Sequence, residues 1–233
     1  MIKKAIQISF ILACTINYCY AQRSFEIKDG SKNYFAKISV KDCKENTCSG
    51  TATIKLYLKS SSNVFQTLKS EDLYFSLNEN EGKPTININQ LYGEQSPLIF
   101  NDFNFDGYED LAIRNGNRGG YGAPSYDVYV FNATKKQFVR SSELTELASS
   151  NLGMFETDKT RKRIITFSKS GCCWHETTEY EVVFRKGLQK VKVLTENGTV
   201  DEGEHVEITE KNLIHGVWKT KKKKYKIKEY YKE

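Results

Sequence analysis

The sequence has little proline and only a moderate amount of glycine, with 3 and 15 residues among the 233. A collagen-like or other fibrous chain is therefore excluded, and a hydrophobic content of 39% excludes a wholly disordered one. Tyrosine and phenylalanine are by contrast common, with 14 and 13 residues. Aromatic and β-branched residues favour strands because they pack well on a pleated surface. The composition therefore predicts a folded, mostly β protein of one domain, or at most two.

A strong excess of charge of one sign is also missing. The formal net charge is +6, and two of the positive charges, on Lys3 and Lys4, belong to the N-terminal leader. Nucleic-acid-binding surfaces are typically much more basic. No nucleic-acid partner is therefore predicted.

The N-terminal leader has the pattern of an export signal. Residues 1–4 are basic, residues 5–16 are mainly apolar, and Cys19-Tyr20-Ala21 forms a small-x-small cleavage site. The apolar stretch is too short to span a bilayer, and no later run approaches the roughly 18 apolar residues that a membrane helix needs. We therefore expect residues 1–21 to be a signal peptide. Residues 22–233 would be a single β-rich domain in the periplasm or the outer cell envelope.

A second way of processing the leader stays open. The segment Ile11-Leu12-Ala13-Cys14 resembles the lipobox of bacterial lipoproteins, in which the cysteine is acylated and becomes the new N-terminus. In that case the signal would end before Cys14. A lipid on Cys14 would then anchor the protein to a membrane.

Four cysteines follow the predicted signal peptide: Cys43, Cys48, Cys172 and Cys173. An even number of cysteines in an oxidising compartment predicts disulfide bonds and no free thiol. Cys43 could pair with Cys48 at the end of a hairpin, which would leave the other two as a vicinal pair. Alternatively, the two segments could be cross-linked. Zinc is not expected, because neither pair has Cys-x-x-Cys spacing.

Alternation of apolar and polar residues predicts strands along most of the chain. The clearest are residues 34–41 and 51–58, which are joined across the first cysteine pair. Further strands are predicted at residues 73–77, 98–100, 111–113, 126–131, 138–140, 163–168, 178–184, 191–194, 206–209 and 217–227. One short helix is predicted at residues 141–148, with Ser142 as its N-cap. Antiparallel meanders at this spacing fit a small propeller, a sandwich or a barrel, and periodicity does not choose among them.

The segment Asn101–Ile113 has oxygen-bearing side chains at alternate positions. Counted from the first aspartate, the oxygen ligands at positions 1, 3, 5, 7 (a backbone carbonyl) and 9 are Asp102, Asn104, Asp106, Tyr108 and Asp110. Gly107 at position 6 permits the sharp turn that lets these oxygens converge on one ion. Position 12 is Ile113 instead of the glutamate of an EF-hand, and both flanks are strand-like. The spacing predicts calcium bound in a turn between strands, with a metal-free acidic turn as the alternative.

These residues also resemble known families. Asp102–Leu111 resembles the loop in FG-GAP propeller blades where calcium bridges the turn, and the segment from Tyr126 resembles the strand after it. Together with Asn115–Gly122 and Ser168–Glu176, they are similar to periplasmic propeller-like proteins. Some of those are immunity lipoproteins that inhibit lysozyme-like, peptidoglycan-cleaving effectors of bacterium-killing type IV secretion systems. The resemblance covers about residues 98–184 and implies a propeller-like fold, a calcium cofactor and a hydrolase as protein partner.

No catalytic set can be assembled from the sequence. His175 is followed four residues later by Glu179, where a zincin helix needs a second histidine. The glycine-rich segment Gly116–Gly122 lacks the Lys-Ser or Lys-Thr of a phosphate-binding loop. We therefore expect a protein that acts by binding and is not an enzyme.

The expected contact residues lie on the glycine-rich loop and beside the second cysteine pair: Arg118, Tyr121, Trp174 and His175. The resemblance implies that these loops enter the cleft of a peptidoglycan hydrolase and exclude its substrate. The alternative is an envelope adhesion or glycan-binding module that uses the same aromatic loops. The C-terminal segment, residues 219–232, contains eight lysines. It predicts a final strand with a lysine face, which discourages edge pairing and attracts an anionic lipid, wall polymer or acidic protein.

Overall fold

The computed structural model describes residues 23–231. The predicted signal peptide and the alternative anchor at Cys14 lie outside the described residues. Strands make up 56% of the structure and helices 9%, which confirms the prediction of a mostly β protein. Within the described range, no helix has both the length and the hydropathy of a membrane span.

The first sheet is an antiparallel meander of four strands in the order β1-β2-β3-β4. The strands are β1 (Arg23–Ile27), β2 (Tyr34–Lys44), β3 (Thr47–Leu58) and β4 (Val64–Ser76). Alternate residues of β2 and β3 are buried, and Ile38 lies opposite Ile54 in the middle of the buried face. The alternation seen in the sequence therefore forms one apolar face, as predicted. The strand β1 and the first half of β4 were not predicted.

The second sheet also has four strands in sequence order, β5 (Leu98–Asn101), β6 (Asp110–Arg114), β7 (Tyr126–Asn132) and β8 (Gln137–Arg140). All five residues of β6 are buried. Leu111 and Ile113 pack against the first sheet, whereas Ala112 belongs to a second apolar cluster on the other face. The second sheet is therefore the middle layer of the molecule, with a core on each side.

A short helix, α1 (Ser142–Ser150), covers the second core and contributes Leu144 and Ala148 to it. Its N-cap is Ser141, whose side chain accepts a hydrogen bond from the Leu144 amide at 3.3 Å. The prediction of Ser142 as the cap was wrong by one residue. Ser142 already belongs to the helix, so the serine before it is the one placed to satisfy the free amides of the first turn.

The third sheet has six strands in the order β14-β13-β12-β11-β10-β9. They are β9 (Glu156–Asp158), β10 (Arg163–Ser170), β11 (Trp174–Val183), β12 (Gly187–Asn197), β13 (His205–Ile214) and β14 (Val217–Lys226), followed by α2 (Ile227–Tyr230). Ile164 of β10 lies in the second core. Sheets stacked over cores give a sandwich-like arrangement, and no sheet within residues 23–231 closes into a barrel. The propeller-like arrangement stays a prediction.

Candidate functional site

The predicted calcium loop is the turn between β5 and β6, and its backbone amides point at its own carboxylates. Asp102 accepts hydrogen bonds from the amides of Asp106, at 3.1 Å, and Gly107, at 2.9 Å. Asp106 accepts one from the amide of Tyr108 at 2.9 Å. Gly107 has a φ of 89°, a left-handed conformation that other residues rarely adopt. The glycine is therefore required for the path of the backbone, as the sequence spacing predicted.

Asp110 is the buried member of the predicted ligand set. Its carboxylate accepts hydrogen bonds from the amides of Phe103, at 2.8 Å, and Phe131, at 2.9 Å, so it joins the loop to β7. Burial raises the pKa of Asp110 to about 7, the two amide hydrogen bonds oppose this shift, and the charges of Asp106 and Asp102 add to it. The loop thus concentrates negative charge beside a carboxylate that has lost its contact with water.

The loop also connects the three sheets. Glu109 accepts hydrogen bonds from the Ser31 hydroxyl, at 2.5 Å, and the Lys32 amide, at 3.3 Å, both between β1 and β2. At the other end of the loop, the side-chain amide of Asn101 donates to the Thr157 hydroxyl of β9 at 2.8 Å. A change in the conformation of this turn would therefore affect the first sheet, the middle sheet and the third sheet together.

Oxygen donors such as those of this loop are the ligands that a hard cation like calcium prefers. Asn104 donates its side-chain amide to the Asp106 carboxylate at 2.9 Å, so these two side chains are bonded to each other. Among the described residues, no group of three or more His, Cys, Asp or Glu side chains is arranged to hold a metal ion. The chemistry of the donor set fits calcium, and calcium binding stays a prediction.

The candidate contact surface is formed where three loops meet. Tyr121 lies in the short 3-10 turn Gly120–Gly122 and is 66% exposed. Its hydroxyl accepts a hydrogen bond from the amide of Gly171, in the turn between β10 and β11, at 2.5 Å. The ammonium of Lys169 lies 4.9 Å from the centre of the Tyr121 ring and 4.8 Å from that of Tyr92. We call Tyr92, Tyr121 and Lys169 the tyrosine–lysine surface.

Both cysteine pairs form local disulfide bonds, between Cys43 and Cys48 and between Cys172 and Cys173. Of the two alternatives left open by the sequence, the structure has the hairpin and vicinal pairing instead of the cross-link. The vicinal bond lies in the turn next to Gly171, and therefore next to the tyrosine–lysine surface. Disulfides form and persist in oxidising compartments, in agreement with the predicted export.

The structure separates two of the predicted contact residues. His175 lies opposite Lys169 in the sheet register and stacks on Phe167, with 5.7 Å between ring centres. Trp174 lies opposite Ser170 instead. Because successive side chains of a strand point to opposite faces, Trp174 is on the other face of the sheet from His175. The two side chains therefore lie on opposite faces of the third sheet, and their role as partner contacts stays a prediction.

The remaining predicted contact residue, Arg118, is exposed on the same loop as Tyr121, and its amide donates to the Ser125 hydroxyl at 3.2 Å. Sequence analysis missed Tyr92 and Lys169. Tyr92 is an isolated aromatic residue in a polar segment, so no local pattern marks it. Lys169 lies next to the second cysteine pair, but its position between two rings depends on loops far away in the sequence.

The predicted lysine strand is β14, and it is an edge strand of the third sheet, as expected. Lys222 forms an ion pair with Glu207 at 2.9 Å, and Lys224 forms one with Asp201. Part of the positive charge of the strand is therefore compensated within the protein.

No protein-family model and no curated protein matches this chain. A solved structure, that of a Xanthomonas type IV secretion system related protein, is similar to it with a TM-score of 0.63 and 22% sequence identity. The match covers 86% of this chain and 97% of that chain. At this level of identity the likeness shows the fold alone, and it extends over nearly the whole of the Xanthomonas protein.

Proposed function

We propose that this chain is an exported protein associated with a type IV secretion system, and that it inhibits a lysozyme-like, peptidoglycan-cleaving hydrolase. The observation that carries the proposal is the convergence of Tyr92, Lys169 and Tyr121 on one surface beside the β10–β11 turn. The shared fold with the Xanthomonas protein supports the association with a secretion system. The resemblance of residues 98–184 to immunity lipoproteins supports the class of target.

The chemistry of the tyrosine–lysine surface suits the cleft of such a hydrolase. Glycoside hydrolases of most families use two carboxylates that flank the bond to be cleaved. The ammonium of Lys169 is complementary to those carboxylates, and the rings of Tyr92 and Tyr121, 68% and 66% exposed, would occupy the space of the sugar rings on either side. The protein would act by binding, in a one-to-one complex that excludes the substrate, and not by catalysis.

The surface is held in place before it meets a partner. The hydrogen bond from Gly171 fixes the Tyr121 hydroxyl, and the lysine contacts both rings. Tyrosine offers a large contact area at a small cost in conformational entropy, and an ordered binding surface loses less entropy on association. These properties are typical of residues that dominate the affinity of protein complexes.

Calcium is the second part of the proposal. Asp102, Asn104, Asp106, Asp110 and the carbonyl of Tyr108 would hold the ion, and the ion would offset the repulsion among the carboxylates. Its role is structural, since the loop is hydrogen-bonded to all three sheets through Glu109, Asp110 and Asn101.

The test of inhibition measures hydrolysis of peptidoglycan by a lysozyme-like effector of a type IV secretion system. The wild-type protein should abolish hydrolysis near a one-to-one ratio. The double variant Tyr92→Ala, Tyr121→Ala should bind about thirtyfold more weakly or worse, because truncation of aromatic anchors commonly costs about 2 kcal/mol or more. The control is Phe184→Ala, which removes a ring that is 82% exposed in the turn between β11 and β12.

Two results would contradict this assignment. If the double variant keeps its wild-type melting temperature and still inhibits fully, the contact surface is elsewhere on the protein. If the wild-type protein neither binds nor inhibits the hydrolase at micromolar concentration, the inhibitor function is wrong.

The exposed pair of tyrosine rings also favours a second candidate function, binding of envelope glycan. Sugar rings present apolar faces on which aromatic rings can stack. Sedimentation of the protein with purified peptidoglycan separates the candidates. A glycan-binding module would sediment through Tyr92 and Tyr121 without any hydrolase, whereas an inhibitor would stay in solution.

A further inference from the structure

The last two strands form a long hairpin at the edge of the third sheet, and its register runs from Ile214 opposite Val217 to His205 opposite Lys226. His215 and Gly216 make the two-residue turn, with φ values of 51° and 77° that are typical of a type I′ hairpin turn. Every residue of β14 except Tyr225 is exposed. We call residues 205–226 the lysine hairpin.

The tip of the lysine hairpin is apolar. Ile214, Val217 and Trp218 are 47%, 56% and 42% exposed and immediately flank the turn. Large apolar side chains that cluster on an exposed surface mark sites of interaction more often than single ones do. Ile214 and Val217 lie on one face of the hairpin and Trp218 lies on the other, so the end of the hairpin presents apolar side chains on both faces. This is far less than the area of about 800 Å² that each partner of a stable protein complex buries.

One face of the hairpin also has uncompensated positive charge. Lys219, Lys221 and Lys223 alternate along β14 on the same face as Val217, about 7 Å from one to the next. None of the three has a carboxylate within 4.0 Å among the described side chains. Glu210, which lies opposite Lys221, is already paired with Lys192 at 3.2 Å. The paired lysines, Lys222 and Lys224, alternate with these three and point to the opposite face.

We propose that the lysine hairpin binds the surface of an anionic lipid membrane. The apolar tip enters the boundary between headgroups and acyl chains, and the three free lysines contact the anionic headgroups behind it. Aromatic and aliphatic side chains flanked by lysine are the composition of segments that lie in this boundary. Lipids can contact the tip of the hairpin on all sides, whereas the surface of a folded protein partner contacts it from one side. This binding is independent of the proposed inhibition and uses a different surface.

The experiment is cosedimentation of the chain from Gln22 with vesicles of phosphatidylglycerol or of phosphatidylcholine, at low and high salt. We expect binding to phosphatidylglycerol vesicles only, and weaker binding at high salt because screening acts on exposed charges. Each lysine near an anionic surface contributes about fivefold in affinity. The triple variant Lys219→Gln, Lys221→Gln, Lys223→Gln should therefore bind on the order of a hundredfold more weakly.

The matched control changes three exposed lysines away from the hairpin to glutamine: Lys41 on β2, Lys59 in the turn after β3, and Lys135 in the turn between β7 and β8. It removes the same charge and should bind phosphatidylglycerol vesicles within about threefold of wild type, because the free face of β14 is intact. Circular dichroism and melting temperature establish that each variant is folded.

Insertion of the tip has its own readout. The chain contains two tryptophans, Trp174 and Trp218, so the variant Trp174→Phe leaves Trp218 as the single fluorescent reporter. Its emission should shift to shorter wavelength when phosphatidylglycerol vesicles are added, and stay unchanged with phosphatidylcholine.

The proposal is overturned by equal binding to both lipids, by equal binding of the triple variant and its control, or by an unchanged Trp218 emission. Binding to polyglutamate without binding to vesicles would also overturn it, and would assign the lysine face to an acidic protein partner. Inhibition of a hydrolase in lipid-free solution is unaffected by any of these outcomes, so failure here is distinguishable from failure of the proposed function.

Discussion

The middle sheet and the lysine hairpin are built from strands of the same antiparallel type, yet they differ in what surrounds them. Every residue of β6 is buried, because a core lies on each face of its sheet. Nearly every residue of β14 is exposed, because the hairpin covers no core along most of its length. Both regions therefore share hydrogen-bonded strand pairing, and they differ in how far their side chains are buried. Stability is therefore concentrated in the middle sheet, and the outer hairpin is free to carry charge and apolar side chains for binding.

The largest expected effect tests this comparison directly. Leu111→Ala removes a fully buried side chain between the first sheet and the middle sheet, and should lower the free energy of unfolding by about 3 kcal/mol. Val217→Ala at the exposed tip of the hairpin should change it by less than about 0.5 kcal/mol. Urea unfolding followed by circular dichroism measures both. Similar losses for the two variants would refute the idea that stability is concentrated in the middle sheet.

Removal of calcium is expected to have the next largest effect. An ion that binds only the folded state adds RT ln(1 + [Ca]/Kd), which is about 2.7 kcal/mol at a hundred times Kd. A chelator should therefore lower the melting temperature of the wild type. Asp106→Ala should lower the melting temperature even without the chelator, and adding the chelator should then lower it only slightly further. Asp29→Ala, which changes an exposed aspartate outside the loop, is the control. A wild-type melting temperature that does not respond to the chelator would refute structural calcium.

The smallest expected effect compares two neighbouring serines at the start of α1, which covers the middle sheet. Ser141→Ala removes the N-cap hydrogen bond to the Leu144 amide and should cost about 1 kcal/mol. Ser142→Ala leaves that bond in place and should be close to neutral, since alanine is a better helix former than serine. The free energy of unfolding in urea resolves the two. If Ser142→Ala destabilised the protein more than Ser141→Ala does, Ser142 would be the N-cap.

Much of this fold could be predicted from local patterns in the sequence. The alternation around Ile38 and Ile54 identified two strands of the first sheet, because one face of that sheet is buried and the other is not. The strand β6 was predicted from its apolar residues, but the position of its sheet between two cores was not. A strand buried on both faces has no alternation, and only the assembled layers show what covers it.

The candidate sites were predicted in part, for a similar reason. The spacing of the calcium loop identified its oxygen-bearing residues, but the hydrogen bond that Asp110 accepts from Phe131 joins residues of different strands. Tyr92 and Lys169 are 77 positions apart in the sequence, so no local pattern connects them. The separation of Trp174 from His175 could have been predicted, because strand alternation alone puts neighbouring residues on opposite faces.

The order of the sheets along the chain has a consequence for folding. Each sheet is a meander of consecutive strands, so most strand pairing is local and the first sheet can pair its strands without the residues that follow it in sequence. The middle sheet cannot complete its burial at that stage, because the residues that cover its second face, such as Leu144 and Ile164, follow it in sequence. Packing of α1 and β10 on the middle sheet therefore completes the second core. Until then, the apolar face of the middle sheet stays accessible to chaperones and proteases.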